Sequence, residues 1–472
     1  MGSTNIDTDY NRKKSHKIDM INSPIPFNML LFSLPIAASS ILQQLFNSAD
    51  VAVVGRFAGR DALAAVSGNA PVVALFVNVL SGLSIGVNVQ IAHFVGQKRK
   101  NGIRKCVHTS LLFAVLCGIF VMIAGILLSH RILMAIDTPK EVFGQALLYL
   151  RIYLMGMPFI IVYNFGAAIL RAVGDTRRPL YCLFISGALN VLLNLLFVIV
   201  FQMGVSGVAT ATVISNVVSM FIVLGFLMRE EGSLRLNIRE LSIDGKSLLG
   251  ILRIGVPSAV QTAVFSLSNI LIQGGINSFG RDAIAGSGVA VNFEYFAYFV
   301  IAAFAQGSVT FVSQNYGAGE YERCRKSLRT AMLEGILITA VFSALMMTFA
   351  IPLTSLYTTK ESVIRYAITR MNHIMLFEFM TGTYEITAAA LRGMGKSLLP
   401  SLITVVGSVV FRIIWLYTVF ETYHTYSVLL RVYIVSWIIT GTAMITAYVI
   451  VSKKTLGVSD SRWKEKREHI LQ

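Results

Sequence analysis

Gly59-Arg60-Asp61-Ala62 returns as Gly280-Arg281-Asp282-Ala283, an offset of 221 (280 − 59). The same offset carries Gly96, Arg104, Lys105 and Thr109 onto Gly317, Arg325, Lys326 and Thr330. It also carries Ala167-Ala168, Leu170-Arg171, Gly174 and Pro179 onto Ala388-Ala389, Leu391-Arg392, Gly395 and Pro400. The prolines that open each half, Pro35 and Pro257, differ by 222 (257 − 35), a slip of one residue. Any single island could arise by chance in a chain rich in Gly and Ala. Three islands in one register are not explained by composition, so the chain reads as two copies of one module.

The medium of that module follows from composition. Of 472 residues, 55% are hydrophobic and 14% charged, with mean hydropathy +0.68; soluble domains carry about 25% charged residues. The polar residues bunch between apolar runs long enough for a bilayer core of about 30 Å. Twelve spans are predicted, near 27–54, 64–94, 108–128, 146–169, 180–202, 207–228, 250–278, 285–315, 331–356, 366–390, 398–420 and 427–451. The fold class is therefore an all-α integral membrane protein with twelve transmembrane helices. Six spans per copy return the chain to its starting side, so the two lobes face the same way, a parallel pseudo-twofold repeat. The expected divisions are a polar N-terminal tail (1–26), an N-lobe (27–228), a linker (229–249), a C-lobe (250–451) and a C-terminal tail (452–472).

The net charge of +16 could point to nucleic acid, but its distribution argues against that partner. With the N-terminus placed in the cytoplasm, 29 of the 40 Lys and Arg fall in inner segments or at an inner span end, eight in outer loops or at an outer span end, and three deep within spans. That bias is the positive-inside pattern and puts both termini in the cytoplasm of a plasma (inner) membrane protein. The first 20 residues are polar, so no cleavable signal is expected there. Cys106, Cys117, Cys182 and Cys324 have no metal or disulfide spacing. No phosphate loop, nucleophile elbow or metal-binding His pair is present, so an enzyme is not expected and no metal site is assigned.

Asp50 is the outstanding ionisable residue of the first half. It follows a long apolar run six residues before Arg56, roughly 9 Å inside the outer boundary at 1.5 Å per residue. An ionised carboxylate at that depth costs about 2.5–3.5 kcal/mol unless it is protonated, paired or wet. The second half has more charge. Glu378 and Glu385, seven residues apart, share a helix face. Arg412 and Glu378 reach similar depths, which predicts an intramembrane Glu378–Arg412 pair with Glu385 facing a cavity. Glu294 is a further candidate for attracting a cationic substrate, and aromatic and Met residues such as Phe293, Tyr298, Met346 and Met347 suit amphiphilic cations.

Several of these stretches resemble the multidrug and toxic compound extrusion (MATE) family. Leu34-Pro35 through Asn47-Ser48-Ala49-Asp50 to Val54-Gly55-Arg56 is similar to its opening helix, and Leu170-Arg171-Ala172-Val173-Gly174-Asp175 before Pro179 to the end of its fourth. Gly204-Val205-Ser206-Gly207-Val208-Ala209-Thr210-Ala211-Thr212 resembles the start of its sixth, and Gln314-Asn315-Tyr316-Gly317-Ala318-Gly319 the inner end of its eighth. The likeness spans residues 27–450 and lies nearer the bacterial DinF-like branch, because Phe265 stands where NorM-like members have an acid. The resemblance implies a proton or cation network of Asp50, Asn164, Asn190, Asn194 and Thr212. Asn194 stands where relatives often have Asp, which removes charge that Na⁺ would want and favours H⁺.

The expected activity is secondary-active multidrug efflux by alternating access. Organic, cationic amphiphiles would leave in exchange for H⁺ or Na⁺, with no other cofactor. The expected partners are small drug-like molecules and the lipid bilayer, with the protein a monomer. The alternative is a flippase for a lipid-linked saccharide or peptidoglycan precursor of the same superfamily. A membrane-embedded receptor or interaction protein would need neither the duplication nor buried carboxylates.

Overall fold

The computed structural model describes residues 17–457. Residues 1–16 and 458–472, parts of the two expected tails, lie outside the described residues. The helices are α1 (Ile25–Ala58), α2 (Arg60–Gly96), α3 (Lys100–Ala135), α4 (Lys140–Met155), α5 (Met157–Ala172), α6 (Arg177–Val200), α7 (Gly204–Met228) and α8 (Gly245–Asn277). They continue as α9 (Arg281–Ala318), α10 (Tyr321–Thr348), α11 (Ala350–Ser355), α12 (Glu361–His373), α13 (Thr381–Gly393), α14 (Leu398–Tyr423) and α15 (Tyr426–Thr455). No strand occurs among the described residues.

Ten of these helices are long and apolar enough to cross a membrane, and α4 with α5, bent by 44°, counts as an eleventh when the pair is taken as one span. The span expected at 366–390 is broken. A 3-10 turn over Met375–Met380 separates α12 from α13, and the segment contains Arg370, Glu378 and Glu385. A charged, interrupted segment is what a functional or strained site produces, since uniform apolar helices need no such break.

Each repeated island turns out to be a backbone device. Gly59 (φ 91°) and Gly280 (φ 85°) enter α2 and α9 in a conformation essentially reserved for glycine. Asp61 and Asp282 follow in the first turn, where negative charge complements the helix N-terminus. Gly174 (φ 91°) and Gly395 (φ 77°) close α5 and α13. There Asp175 N–H donates to the Leu170 carbonyl at 3.0 Å, and Lys396 N–H to the Leu391 carbonyl at 2.9 Å. Beyond α2 and α9, Lys98 (φ 55°) and Gly319 (φ 79°) make matching left-handed turns. Arg99 N–H bonds the Phe94 carbonyl and Glu320 N–H bonds the Asn315 carbonyl. The repeat is thus three pairs of matching helix ends.

The chain clusters into two units, one of residues up to Ala74 and Gln90–Leu249, the other of Leu75–Val89 and residues from Gly250. In the first, α1 packs on α6, α6 on α7, α7 on α5 and α5 on α3. In the second, α9 is central, with α10, α12 and α13 packed on it and α15 on α13. The middle of α2 belongs to the second unit because small residues let it approach α8. A Cβ on Gly82 would come within 2.7 Å of the Ala259 Cα, and one on Gly86 within 2.2 Å of the Ile251 carbonyl oxygen. Such a Gly-x-x-x-Gly face is how apolar helices pack backbone to backbone.

The segment before α1 is anchored to the first unit. Ile18 N–H donates to the Gly174 carbonyl at 3.1 Å. Glu230, just past α7, pairs with Lys17 (2.6 Å) and Arg178 (2.5 Å). Burial alone would raise the Glu230 carboxyl; the two cations hold it below its ordinary value.

Candidate coupling network and buried charge cluster

In the first unit, Asp50 stands near the end of α1, Asn190 and Asn194 one turn apart on α6, and Thr212 on α7. Spacing of four residues puts the two amides on one face of α6. Close approach of α1 to that face needs Gly187: a Cβ there would fall 1.9 Å from the Phe46 ring. Phe46 lies one turn before Asp50, so Phe46 against Gly187 sets the crossing that lets Asp50 reach Asn194.

The hydrogen bonds diverge from Asn194. Asn194 Nδ2 donates to Asp50 Oδ1 and, at 3.4 Å, to Asn190 Oδ1. Asn190 Nδ2 donates to Thr212 Oγ1 at 3.4 Å, and the Thr212 hydroxyl donates to the Val208 carbonyl at 3.0 Å. Asp50 is therefore the acceptor at one end of a run of neutral dipoles, and the Val208 carbonyl the acceptor at the other. Asn194 is buried, and its Oδ1 has no hydrogen-bond partner among the described residues. A protonated Asp50 or a bound cation would supply that acceptor with a donor or a charge.

Four of the five residues expected in this network meet. Asn164, half-buried on α5, makes no hydrogen bond to it, so the network closes without Asn164. Sequence reasoning missed Phe46 and Gly187, which look like ordinary span residues. It also missed Tyr149 and Tyr153 on α4, both within electrostatic reach of Asp50.

The second unit holds a different arrangement. Arg370 on α12 grips Glu294 on α9 with both forks, Nε to Oε1 at 2.8 Å and Nη2 to Oε2 at 2.9 Å, and both residues are buried. Arg412 on α14 is 1% exposed. Its Nη1 donates to Asn269 Oδ1 at 3.3 Å and its Nε to Ser436 Oγ at 3.4 Å. The Tyr433 ring lies 4.6 Å from the Arg412 guanidinium and 5.7 Å from that of Arg370. Phe265 covers Arg412 from 5.1 Å, so rings and neutral oxygens hold this cation.

The expected Glu378–Arg412 pair is absent. Glu378 is buried, and its carboxylate makes no hydrogen bond or ion pair among the described residues. The depth argument assumed an unbroken α-helix. Six residues of 3-10 turn in its place shift the rotational phase by about 120°. Glu294, expected as a lure for cations, is already neutralised by Arg370. Glu385 on α13 is half-buried, within electrostatic range of Tyr298 and Arg392 but without an ion pair among the described residues. Arg392 donates to Gln261 Oε1 at 2.8 Å. Its repeat-mate Arg171 shares one trait with it: each has a buried Nε without a hydrogen-bond partner among the described residues.

Comparison with known proteins matches this geometry to a family. The MatE family model fits the chain twice, over residues 35–196 and 257–418, copies that begin and end 222 positions apart (257 − 35, 418 − 196). The chain is 29% identical over 386 residues to the probable multidrug resistance protein YoeA of Bacillus subtilis, covering 80% of this chain and 83% of that one. It superposes on an outward-facing multidrug resistance MATE transporter of the MOP superfamily with TM-score 0.85 and 22% identity, covering 94% and 98% of the two chains. A MOP superfamily transporter from Pyrococcus furiosus, described as having a binding pocket of reversed polarity, superposes with TM-score 0.84 and 23% identity over 93% and 97%. With both halves matched over more than half its length, this multi-pass membrane protein belongs to the MatE family.

Proposed function

We propose that this protein is a secondary-active multidrug exporter, working by alternating access and coupled to proton entry through Asp50. The observation that supports this most directly is the unfilled Asn194 Oδ1 beside a carboxylate that only neutral groups accompany. When Asp50 is ionised, it accepts from Asn194 Nδ2 and ties α1 to α6. A proton on Asp50 weakens that acceptor and supplies a donor for Asn194 Oδ1, so the link between the helices changes sense with each proton. Na⁺ is the alternative coupling ion, and one carboxylate among amides gives it few charged oxygens. Names of relatives such as the multidrug resistance protein of B. subtilis favour drug-like cargo. Glu385, half-buried and without an ion pair, is the acid available to a cationic amphiphile. The 29-to-8 distribution of basic residues supports an inner-membrane protein with cytoplasmic termini. That it acts as a monomer and needs no further cofactor is part of the same proposal.

The test is transport in proteoliposomes driven separately by ΔpH and ΔNa⁺, each pH unit supplying about 1.4 kcal/mol. Ethidium export should follow ΔpH, and Asp50→Asn should reduce it to the level of empty vesicles. Wild-type rates in Asp50→Asn would refute the coupling role.

One observation favours a second reading, a flippase for a lipid-linked saccharide or peptidoglycan precursor. Among the described residues Arg412 has no carboxylate at ion-pair distance, and Glu294 is paired with Arg370, so Arg412 is the buried cation an anionic headgroup would meet if the rings over it parted. Ethidium efflux in a pump-deficient bacterium, sensitive to a protonophore, separates the two readings.

A further inference from the structure

The chain between α7 and α8 is folded back onto the start of α3. The Asn237 N–H donates to His108 Nε2 at 3.1 Å, while His108 Nδ1 bonds the Arg104 carbonyl at 2.7 Å, which assigns a neutral ring with its proton on Nδ1. The Thr109 hydroxyl donates to the Ser242 carbonyl at 3.1 Å and accepts from Asp244 N–H at 2.9 Å. Arg104 Nε donates to Glu240 Oε2 at 2.7 Å, and Lys105 pairs with Asp244 at 3.2 Å. The hydrogen bond from Arg104 holds the Glu240 carboxyl below its ordinary value, so both charges stay formed at neutral pH.

This clamp leaves a cavity of about 520 Å³ at the end of α7, lined among others by Arg104, Met228, Arg235, Leu236, Arg239 and Glu240. That volume is in the range of small-molecule sites. Three guanidiniums border it against one carboxylate. Arg104 is committed to Glu240, whereas the Arg235 and Arg239 side chains make no ion pair or hydrogen bond among the described residues. The polar end of the cavity adjoins apolar side chains: Met228, the last residue of an apolar span, and Ile238 are both exposed. Paired free guanidiniums beside exposed apolar side chains, where a span meets the headgroup layer, match a charged head with acyl chains attached.

We propose that this cavity binds a phosphate-bearing anion, the headgroup of an anionic phospholipid, through Arg235 and Arg239. The planar guanidinium fork matches phosphate oxygens two at a time. Basic pockets at this level of a membrane protein attract anionic lipid heads.

The test uses the purified full-length protein in detergent, with bound lipid counted by native mass spectrometry. Phosphatidylglycerol should remain bound where phosphatidylcholine at equal concentration does not. Arg235→Gln/Arg239→Gln should weaken phosphatidylglycerol binding about thirtyfold, the loss expected for two basic residues at an anionic surface. The charge-matched pair Arg60→Gln/Arg281→Gln should bind as wild type. Arg235→Lys/Arg239→Lys, which keeps charge and loses the fork, should fall between, and it guards against a folding defect in the Gln variant. Displacement of the lipid by millimolar inorganic phosphate would show that the site also takes soluble phosphate; resistance to displacement would assign it to lipid alone. Equal phosphatidylglycerol binding by the Gln variant and its charge-matched control would overturn the proposal, as would equal binding of the two lipids.

Discussion

The Asp50 network and the Glu294–Arg370 cluster occupy two copies of one scaffold, yet their chemistry is opposite. In the first unit a lone carboxylate ends a chain of amides and a hydroxyl. In the second, Glu294, Glu378 and Glu385 accompany Arg370, Arg392 and Arg412, as many acids as bases. The 221 offset carries Asp50 onto Leu271, Asn194 onto Trp415 and Thr212 onto Tyr433. Duplication kept the helix ends, which depend on glycine conformations, and replaced the polar interior. A carboxylate with neutral company can change charge without breaking an ion pair. A carboxylate gripped by arginine cannot, and it serves better as a fixed strut.

The contrast can be broken at several places, beginning with the strut. Glu294→Gln should cost about 3–5 kcal/mol, because it abandons a buried guanidinium. Glu294→Gln/Arg370→Met should recover much of that loss in thermal unfolding of the detergent-solubilised protein. If the single variant melts like wild type, the pair is no strut. The first unit should respond to shape before charge. Gly187→Leu drives a side chain into Phe46 and should cost about 1–3 kcal/mol while lowering ΔpH-driven transport. Unchanged transport in a folded Gly187→Leu protein would show that the α1–α6 approach does not matter.

Glu378 tests the comparison from the other side. Having no ion pair to lose, Glu378→Gln should leave stability within about 1 kcal/mol of wild type, unlike Glu294→Gln. A loss equal to that of Glu294→Gln would mean that Glu378 is also a strut. The smallest change expected is Thr212→Val, which removes the far end of the hydrogen-bond chain. It should cost about 0.5–1.5 kcal/mol and slow transport without uncoupling it, whereas Asp50→Asn uncouples. Complete uncoupling by Thr212→Val would move the centre of the network away from Asp50.

What could be read in advance follows the same division. The turn devices were legible because a positive φ demands glycine, and glycine at fixed spacing is visible in a string of letters. Asp50 stood out by its depth; Asn190, Asn194 and Thr212 were named by the family resemblance, and their depths agree with it because α1, α6 and α7 run unbroken at those residues. Asn164 came from the resemblance alone and lies further toward the cytoplasm, so its place outside the hydrogen-bonded group breaks no depth argument. Around Glu378, the 3-10 turn at Met375–Met380 spoiled the arithmetic of the helix wheel. Arg370 and Glu294 each stood out as charges in apolar spans, but no rule pairs residues 76 apart. Gly187 and Phe46 gave no signal, because close approach is a property of two helices and the sequence presents them separately.

Lys98 and Gly319 solve one backbone problem with different residues, a left-handed turn after a long helix. A lysine there bears a steric cost of roughly 1–2 kcal/mol that glycine avoids. A protein built of two diverged copies therefore carries an internal guide to its own improvement. Wherever one copy tolerates strain, the other can show an engineer the relaxed alternative, already tried in the same architectural context.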